Sequence, residues 1–294
     1  MLCGRLIACA NKAGGWGYAS GKASRLEPTC WALLALGGVD DPSTARVIAP
    51  HVEFVARTQR TSGWLVEDER LPVNIAFNAL TSVVWLHRPA FATEEMRRKL
   101  ILSLIRSKGA RGAQAQHVVG LNSTLQGWSW VEATFSWVEP TCWGLLALKK
   151  ARRTGLAFAG DAARIDEAER LLIDRCCRAG GWNYGNPDVM GKDLLPYVAV
   201  TALALIALQA RREDSAVARS VDWLEAHWRD EPSAMATGLA LMSLQVHGRP
   251  TGALENWLRG HASGFDVAAN VHGAALMSCA LSPHASAVQA LTLS

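Results

Sequence analysis

The chain has 294 residues, 50% of them hydrophobic, with 19% charged side chains and a formal net charge of +4. That size and apolar content support one large core, read as a single domain over residues 1–294. So mild a charge, with basic clusters such as Arg97-Arg98-Lys99 that carry no interleaved aromatics, argues against a nucleic-acid partner. Seven cysteines without paired spacing fit a reduced, cytoplasmic protein better than a disulfide framework.

Along the chain, Met1 to Cys9 is interrupted by Arg5 and is too short for a signal-peptide core. No window reaches the roughly 18–20 apolar residues of a membrane span. Apolar segments rich in Ala and Leu, at 27–37, 72–87, 139–150, 194–211, 231–246 and 268–281, read as helices buried on most sides. Charged amphipathic segments at 43–60, 93–107, 161–178, 214–228 and 251–262 read as an outer layer. Asp41-Pro42-Ser43, Thr93-Glu94-Glu95, Asp161 and Asp214-Ser215 are helix-starting signals, and Gly14, Gly63 and Gly180 stand where chains leave helices. Pro28, Pro140 and Pro232 suit the first turn of an inner helix, and the glutamate before each suits its positive end.

The chain repeats itself. Gly15-Trp16 with Glu27-Pro28-Thr29-Cys30-Trp31 recurs as Gly127-Trp128 with Glu139-Pro140-Thr141-Cys142-Trp143, displaced by 112 residues, and Gly14 to Tyr18 recurs as Gly180 to Tyr184, displaced by 166. Weaker copies begin at Gly63-Trp64 and Gly264-Phe265, and Glu231-Pro232-Ser233 opens a helix without a Gly-Trp before it. Units that bury their apolar faces only against neighbours give a repeat fold. Six units of about 49 residues, each an inner and an outer helix, predict an all-α fold, an α/α toroid of two concentric rings. The region 108–126 strains this register and is expected to hold an insertion.

In such a toroid the inner-helix N-termini share one mouth, where Glu27, Asn74, Glu139 and His272 converge. Two like carboxylates there raise each other's pKa toward general-acid use, so Glu27, Glu139 and His272 are the catalytic candidates. The competing reading of both glutamates is helix N-terminal electrostatics. Trp31, Trp143, Phe77 and Trp137 are candidate walls for an apolar ligand, with core packing as the alternative. Segment 93–107, apolar on one side and basic elsewhere, suits either packing on the inner ring or peripheral membrane contact.

The stretches AGGWGYASGKASRLEPTCWALLAL and AGGWNYGNPDVMGKDLLPYVAVTALALIALQ resemble repeats of the terpenoid cyclase and protein prenyltransferase superfamily, especially the C-terminal part of squalene-hopene cyclases. The resemblance implies the toroid fold and an isoprenoid ligand, polyprenyl or triterpene, in a deep central pocket. Gln59 and Gln126 match the family's Gln-Trp motif, which ties a turn to the outer helix. The acidic D-x-D-D motif that starts triterpene cyclisation is missing, since Val39-Asp40-Asp41-Pro42 lacks its first aspartate. The prenyltransferase zinc site is not matched either: Asp174-Arg175-Cys176 has the right spelling but precedes its Gly-Trp on an outer helix, and His272 has no evident partners. No metal or cofactor is therefore expected. Three readings stand: a catalytic isoprenoid-handling toroid, a non-catalytic scaffold for lipid or a protein partner, and one subunit of a split cyclase.

Overall fold

The computed structural model describes residues 2–37, 42–112, 120–282 and 286–293. The Val39-Asp40-Asp41 turn and the middle of the 108–126 insertion lie outside them. Twelve helices alternate in chain order: α1 (Leu2–Ala8), α2 (Leu26–Leu36), α3 (Pro42–Arg57), α4 (Ile75–His87), α5 (Glu94–Arg106), α6 (Val138–Arg153), α7 (Asp161–Asp174), α8 (Val198–Ala207), α9 (Ser215–His227), α10 (Ala234–Val246), α11 (Gly252–Gly264) and α12 (Val271–Leu281). The even-numbered helices pack in sequence, and α12 returns to α2, closing an inner ring of six. The odd-numbered helices lie outside it, each against an inner neighbour. This is the α/α toroid that the repeats imply.

Burial follows the composition. In α8 every residue except Ala199 is buried, whereas outer helix α11 buries only Leu254 and Leu258. An inner helix has neighbours on both flanks and an outer helix at its back, so only an all-apolar sequence suits it. A short helix, α13 (Ser286–Leu291), packs on α2, α4, α10 and α12 and stoppers the ring at the C-terminal ends of the inner helices. Lys150 donates to the carbonyls of Gln289 and Thr292 (3.4 and 3.0 Å), and Gln209 donates to that of Leu291 (2.9 Å).

The turns between outer and inner helices share one construction. The indole N–H of Trp16 donates to the Leu6 carbonyl (2.8 Å), Trp128 to Leu104 (2.9 Å) and Trp182 to Leu172 (2.6 Å). Each of these tryptophans also donates its backbone N–H to a threonine hydroxyl on the following inner helix: Thr29, Thr141 and Thr201, at 2.9, 3.0 and 2.9 Å. The ring of each staple is thus buried while every polar group finds a partner. Gly14 and Gly63, at φ +95° and +94°, need glycine: a Cβ there would stand 2.5 Å from the Pro50 carbonyl oxygen and 2.7 Å from that of Lys99.

Two details of the repeat register are corrected. Gly63 matches Gly14 and Gly180 rather than Gly15, since Arg60 N–H donates to the Trp64 carbonyl as Asn11 donates to Gly15. Leu65, not Trp64, therefore fills the staple position, and Asn78 replaces the threonine by pairing with both the N–H and the carbonyl of Leu65 (2.8 and 3.1 Å). Pro232 precedes α10 altogether, because Ser233 is its N-cap and accepts from Ala236 N–H. In the 108–126 region, described residues 108–112 and 120–126 carry no helix. Gln59 ties its turn to α5 by donating to Gly63 and Met96 (3.0 and 2.9 Å), while Gln126 donates to Gly109 (2.7 Å).

Candidate functional site

The mouth is set by the second residue of each inner helix. In ring order these are Glu27, Ala76, Glu139, Ala199, Met235 and His272. Three polar side chains thus occupy equivalent places on a rim that is otherwise small or apolar. His272 and Glu27 belong to helices that close the ring, and His272 Nε2 lies 3.3 Å from Glu27 Oε1, an ion pair when the imidazole is protonated. The Tyr18 hydroxyl donates to Glu27 Oε2 (2.6 Å) and its ring meets His272 edge-on, centroids 5.7 Å apart. Burial, then the neighbouring Glu27, pushes the Tyr18 phenol well above its ordinary range, so it stays a donor.

Glu139 sits in a crowded concavity with only part of its surface open. Burial raises its pKa from 4.5 to about 8, the charge of Glu27 adds to the rise, and the Trp143 side chain opposes it as a hydrogen-bond partner. A third carboxyl, Glu67, is also pushed up by burial, although it accepts the Leu26 N–H and lies 3.7 Å from Arg25. Tyr18 and Glu67 were not singled out in the sequence. Both sit two residues after a staple residue, at the position that meets the neighbouring inner helix.

That position joins the units. Val271 N–H donates to the Tyr18 carbonyl (2.9 Å), Ile75 N–H to Trp130 (2.8 Å) and Val138 N–H to Tyr184 (3.0 Å). The first N–H of α2 goes to the Glu67 carboxylate and that of α8 to the Glu231 carboxylate (3.0 Å). In five of the six inner helices the first amide, an orphan of the helix, is thereby satisfied by the next unit round the ring.

Beside Glu139 lies an open recess of about 410 Å³ walled by Trp137, Tyr184, Tyr197, Asn183, Gly185, Asn186, Asp193, Leu194 and Leu195. Asn183 shapes its rim by accepting from the N–H groups of Gly185 and Asn186, each at 3.0 Å. The Tyr184 and Tyr197 rings are 5.2 Å apart, and the Tyr184 phenol is pushed up by burial, Glu139 and Glu231. A two-residue hairpin, β1 (Asp188–Val189) with β2 (Lys192–Asp193), rises from the same loop. Eight of the ten exposed large apolar residues among those described, Tyr18, Leu71, Trp137, Tyr184, Met190, Leu194, Leu195 and Tyr197, belong to loops on this mouth face.

Of the proposed walls, Trp137 lines this recess and Phe77 instead packs edge-on against Trp130, centroids 5.9 Å apart. Trp31 and Trp143 are 2% and 3% exposed and meet edge-on at 5.9 Å, although they come from α2 and α6, which α4 separates in the ring. Their rings are buried against each other and do not line the open recess. Asp174 accepts from Asn122 N–H (2.9 Å) and Cys176 lies 3.5 Å from the Ser220 hydroxyl. No group of three or more metal-ligating side chains occurs among the described residues, and no helix among them is long and apolar enough to cross a membrane.

No protein-family model matches the chain, and no curated protein sequence does. Solved structures do. An α-amylase from Clostridium perfringens superposes with a TM-score of 0.65 at 9% identity, covering 99% of this chain and 96% of that one. An inactive variant of an α-1,6-mannanase from Salegentibacter sp., in complex with α-1,6-mannotriose, gives 0.62 at 10% identity over 98% and 97%. A type II terpene cyclase from Scytonema, in complex with geranylgeranyl dihydroxybenzoate, gives 0.42 at 13% identity over 100% and 96%. At 9% and 10% identity the likeness to the first two shows the fold alone and leaves the chemistry to the site.

Proposed function

We propose that the chain is one toroid domain whose mouth binds an apolar small molecule of isoprenoid type and that Glu139 acts on it as a general acid. The observation that carries this reading is a carboxyl held protonated to about pH 8 beside an aromatic-walled recess. Its acidity selects the reaction. An acid of that strength is a poor donor to an alkene and a well-matched donor to a departing oxygen. In this scheme Glu139 gives its proton to the leaving oxygen as a C–O bond breaks. Glu27, oriented by Tyr18 and next to His272, accepts the proton of the incoming water. The isoprenoid body is supported by the eight apolar side chains of the mouth face, which also suit peripheral contact with a membrane from the cytoplasm.

A second reading is favoured by Trp137, Tyr184 and Tyr197 standing among Asn183, Asn186 and Asp193, because sugar rings stack on aromatics while their hydroxyls need polar partners. The test is to incubate wild type and Glu139→Gln with lipid and with oligosaccharide extracts of the host and to follow consumption by mass spectrometry. Wild type consumes one class, at a rate that falls as pH rises through about 8, and Glu139→Gln is slower by about 10²-fold or more. Equal turnover by both proteins removes Glu139 from the chemistry. Binding without turnover by either leaves the scaffold or split-enzyme reading.

A further inference from the structure

At the end of the ring away from the mouth, another recess, of about 400 Å³, opens between the last turns of α4 and α6 and the stopper helix α13. Leu86 and Leu293 give it apolar walls, and Lys150, Arg153, His87 and Gln289 give it polar ones. No acidic side chain lines it among the described residues. Lys150 stands about 16 Å along α6 from Glu139, so this recess is separate from the mouth.

Its cations outnumber the groups that neutralise them. Lys150 is buried, and its Nζ meets only the carbonyls of Gln289 and Thr292, at 3.4 and 3.0 Å, which leaves one of its three N–H bonds unspent. Burial, then the charge of Arg153, pushes its pKa down to about 8. Arg153 is exposed and makes no hydrogen bond or ion pair with a described residue. An adjoining recess that shares Arg153 and Leu293 does hold carboxylates, but they are committed elsewhere. Glu169 pairs with Lys149 and Arg211 at 2.6 and 3.2 Å, and Asp166 with Arg170 at 3.1 Å. His87 registers the same excess of positive charge. Its pKa is pushed down to about 4 by burial and then by Arg88 and Lys150, so the ring is neutral at pH 7, and its Nε2 is buried without a partner. Basic residues in the last turn of α6 suit the negative end of the helix. The helix dipole does not account for two of them lining one recess without a counter-charge, since a buried charge is ordinarily paired.

We propose that this recess is a binding site for a phosphate monoester, its phosphate held by Lys150 and Arg153 with the Gln289 amide as a further donor, and its organic group laid against Leu86 and Leu293. Two cations match the charge of a phosphate ester better than that of a carboxylate, with Arg153 supplying paired N–H bonds and Lys150 a point charge. The bound ligand bridges α6 to α13 and fastens the stopper to the ring. The proposal stands on the far recess alone and takes nothing from the mouth or from Glu139.

The test titrates inorganic phosphate, phenyl phosphate and benzoate by calorimetry, at pH 7 and constant ionic strength, into the full chain, Arg153→Gln and Lys12→Gln. Lys12, exposed in the turn before α2, gives the same loss of charge away from the recess. Wild type and Lys12→Gln bind phenyl phosphate most tightly, and benzoate about tenfold or more weakly than that. Arg153→Gln binds phenyl phosphate about tenfold more weakly than wild type. Because Arg153 bonds to nothing in the fold, the ligand-free variant melts with wild type, and phenyl phosphate raises the melting temperature of wild type further than that of the variant. The His87 ring signals, assigned in magnetic resonance spectra with His87→Gln, shift on adding phenyl phosphate, because this imidazole senses the charge at Lys150. The proposal is overturned if neither phosphate binds wild type, if Lys12→Gln loses as much affinity as Arg153→Gln, if benzoate binds as tightly as phenyl phosphate, or if the His87 signals stay still at saturation.

Discussion

Glu139 shows how one position in a repeat acquires chemistry. As the second residue of α6 it occupies the place held by Ala76 in α4 and Ala199 in α8, so nothing in the fold requires a carboxyl there. What distinguishes it is its crowded surroundings and the charge of Glu27. Below pH 4.5 Glu139 is protonated both folded and unfolded and has no effect on stability. As pH rises from there to about 8, the unfolded chain releases a proton that the folded one keeps, so stability falls across this window and levels off above it. Glu139→Gln lacks that slope. Urea unfolding at pH 5 and pH 8 is expected to show the variant gaining about 1–3 kcal/mol on wild type at the higher pH, after discounting for the partly open side chain. Parallel profiles would mean that Glu139 ionises as freely as in the unfolded chain.

At the scale of the element, the turn and the helix that follows it form one hydrogen-bonded piece. Thr141 accepts the Trp128 N–H at 3.0 Å inside the core, so Thr141→Val keeps the shape and strands a buried donor. A loss of about 1–3 kcal/mol is expected in denaturant unfolding; a neutral result would show that the Trp128 amide has another acceptor. These pieces were largely legible in the sequence. Near-continuous apolar runs mark the inner helices because such runs are tolerated only where helices are enclosed, and the Gly-Trp spelling marks the turns. The second unit misled, since Gly63-Trp64 spells the motif one place out of register and Leu65 does the work of the tryptophan. Glu67 was not legible, because its role comes from the neighbouring unit's first amide and not from its own surroundings in sequence, and Tyr18 was not, because its contacts with Glu27 and His272 arise only on packing. Arg175 was hidden inside an Asp-x-Cys spelling that suggested metal chemistry, whereas its burial, its bond to the Ser136 carbonyl and its place over the Phe135 ring are revealed only by packing. Glu27 and His272 meet because the first and last units meet, an adjacency that follows from a closed ring of six and not from any shorter-range pattern.

The molecule as a whole is a ring whose ends are joined and whose far side is stoppered. Arg5 donates to the Phe265 carbonyl (2.7 Å), α1 packs on α12, and α13 closes the inner ring over buried Ala287, Ala290 and Leu291. A closed ring has no terminal unit able to fray alone, so calorimetry is expected to give one unfolding transition. Removing residues 286–293 takes the partners from Lys150 and Gln209 and uncovers the seat of Leu291, a burial worth about 1.5–3 kcal/mol for the side chain alone. The shortened chain should melt at a lower temperature, still in one step. Separate transitions in either protein would show that the units hold together in smaller groups.

The exchange of first amides has a consequence for how such a chain can change. Every bond runs the same way round, from an inner helix to the turn of the next unit, and the last returns from Val271 to Tyr18. An open stack of repeats can lengthen or shorten by one copy and lose only a cap. Here, losing or doubling a unit leaves a helix start without its acceptor, shifts the curvature of all the others and parts His272 from Glu27. Lineages of this chain are therefore free to vary the loops of the mouth, as between Tyr184 and Tyr197, while the number of units stays fixed.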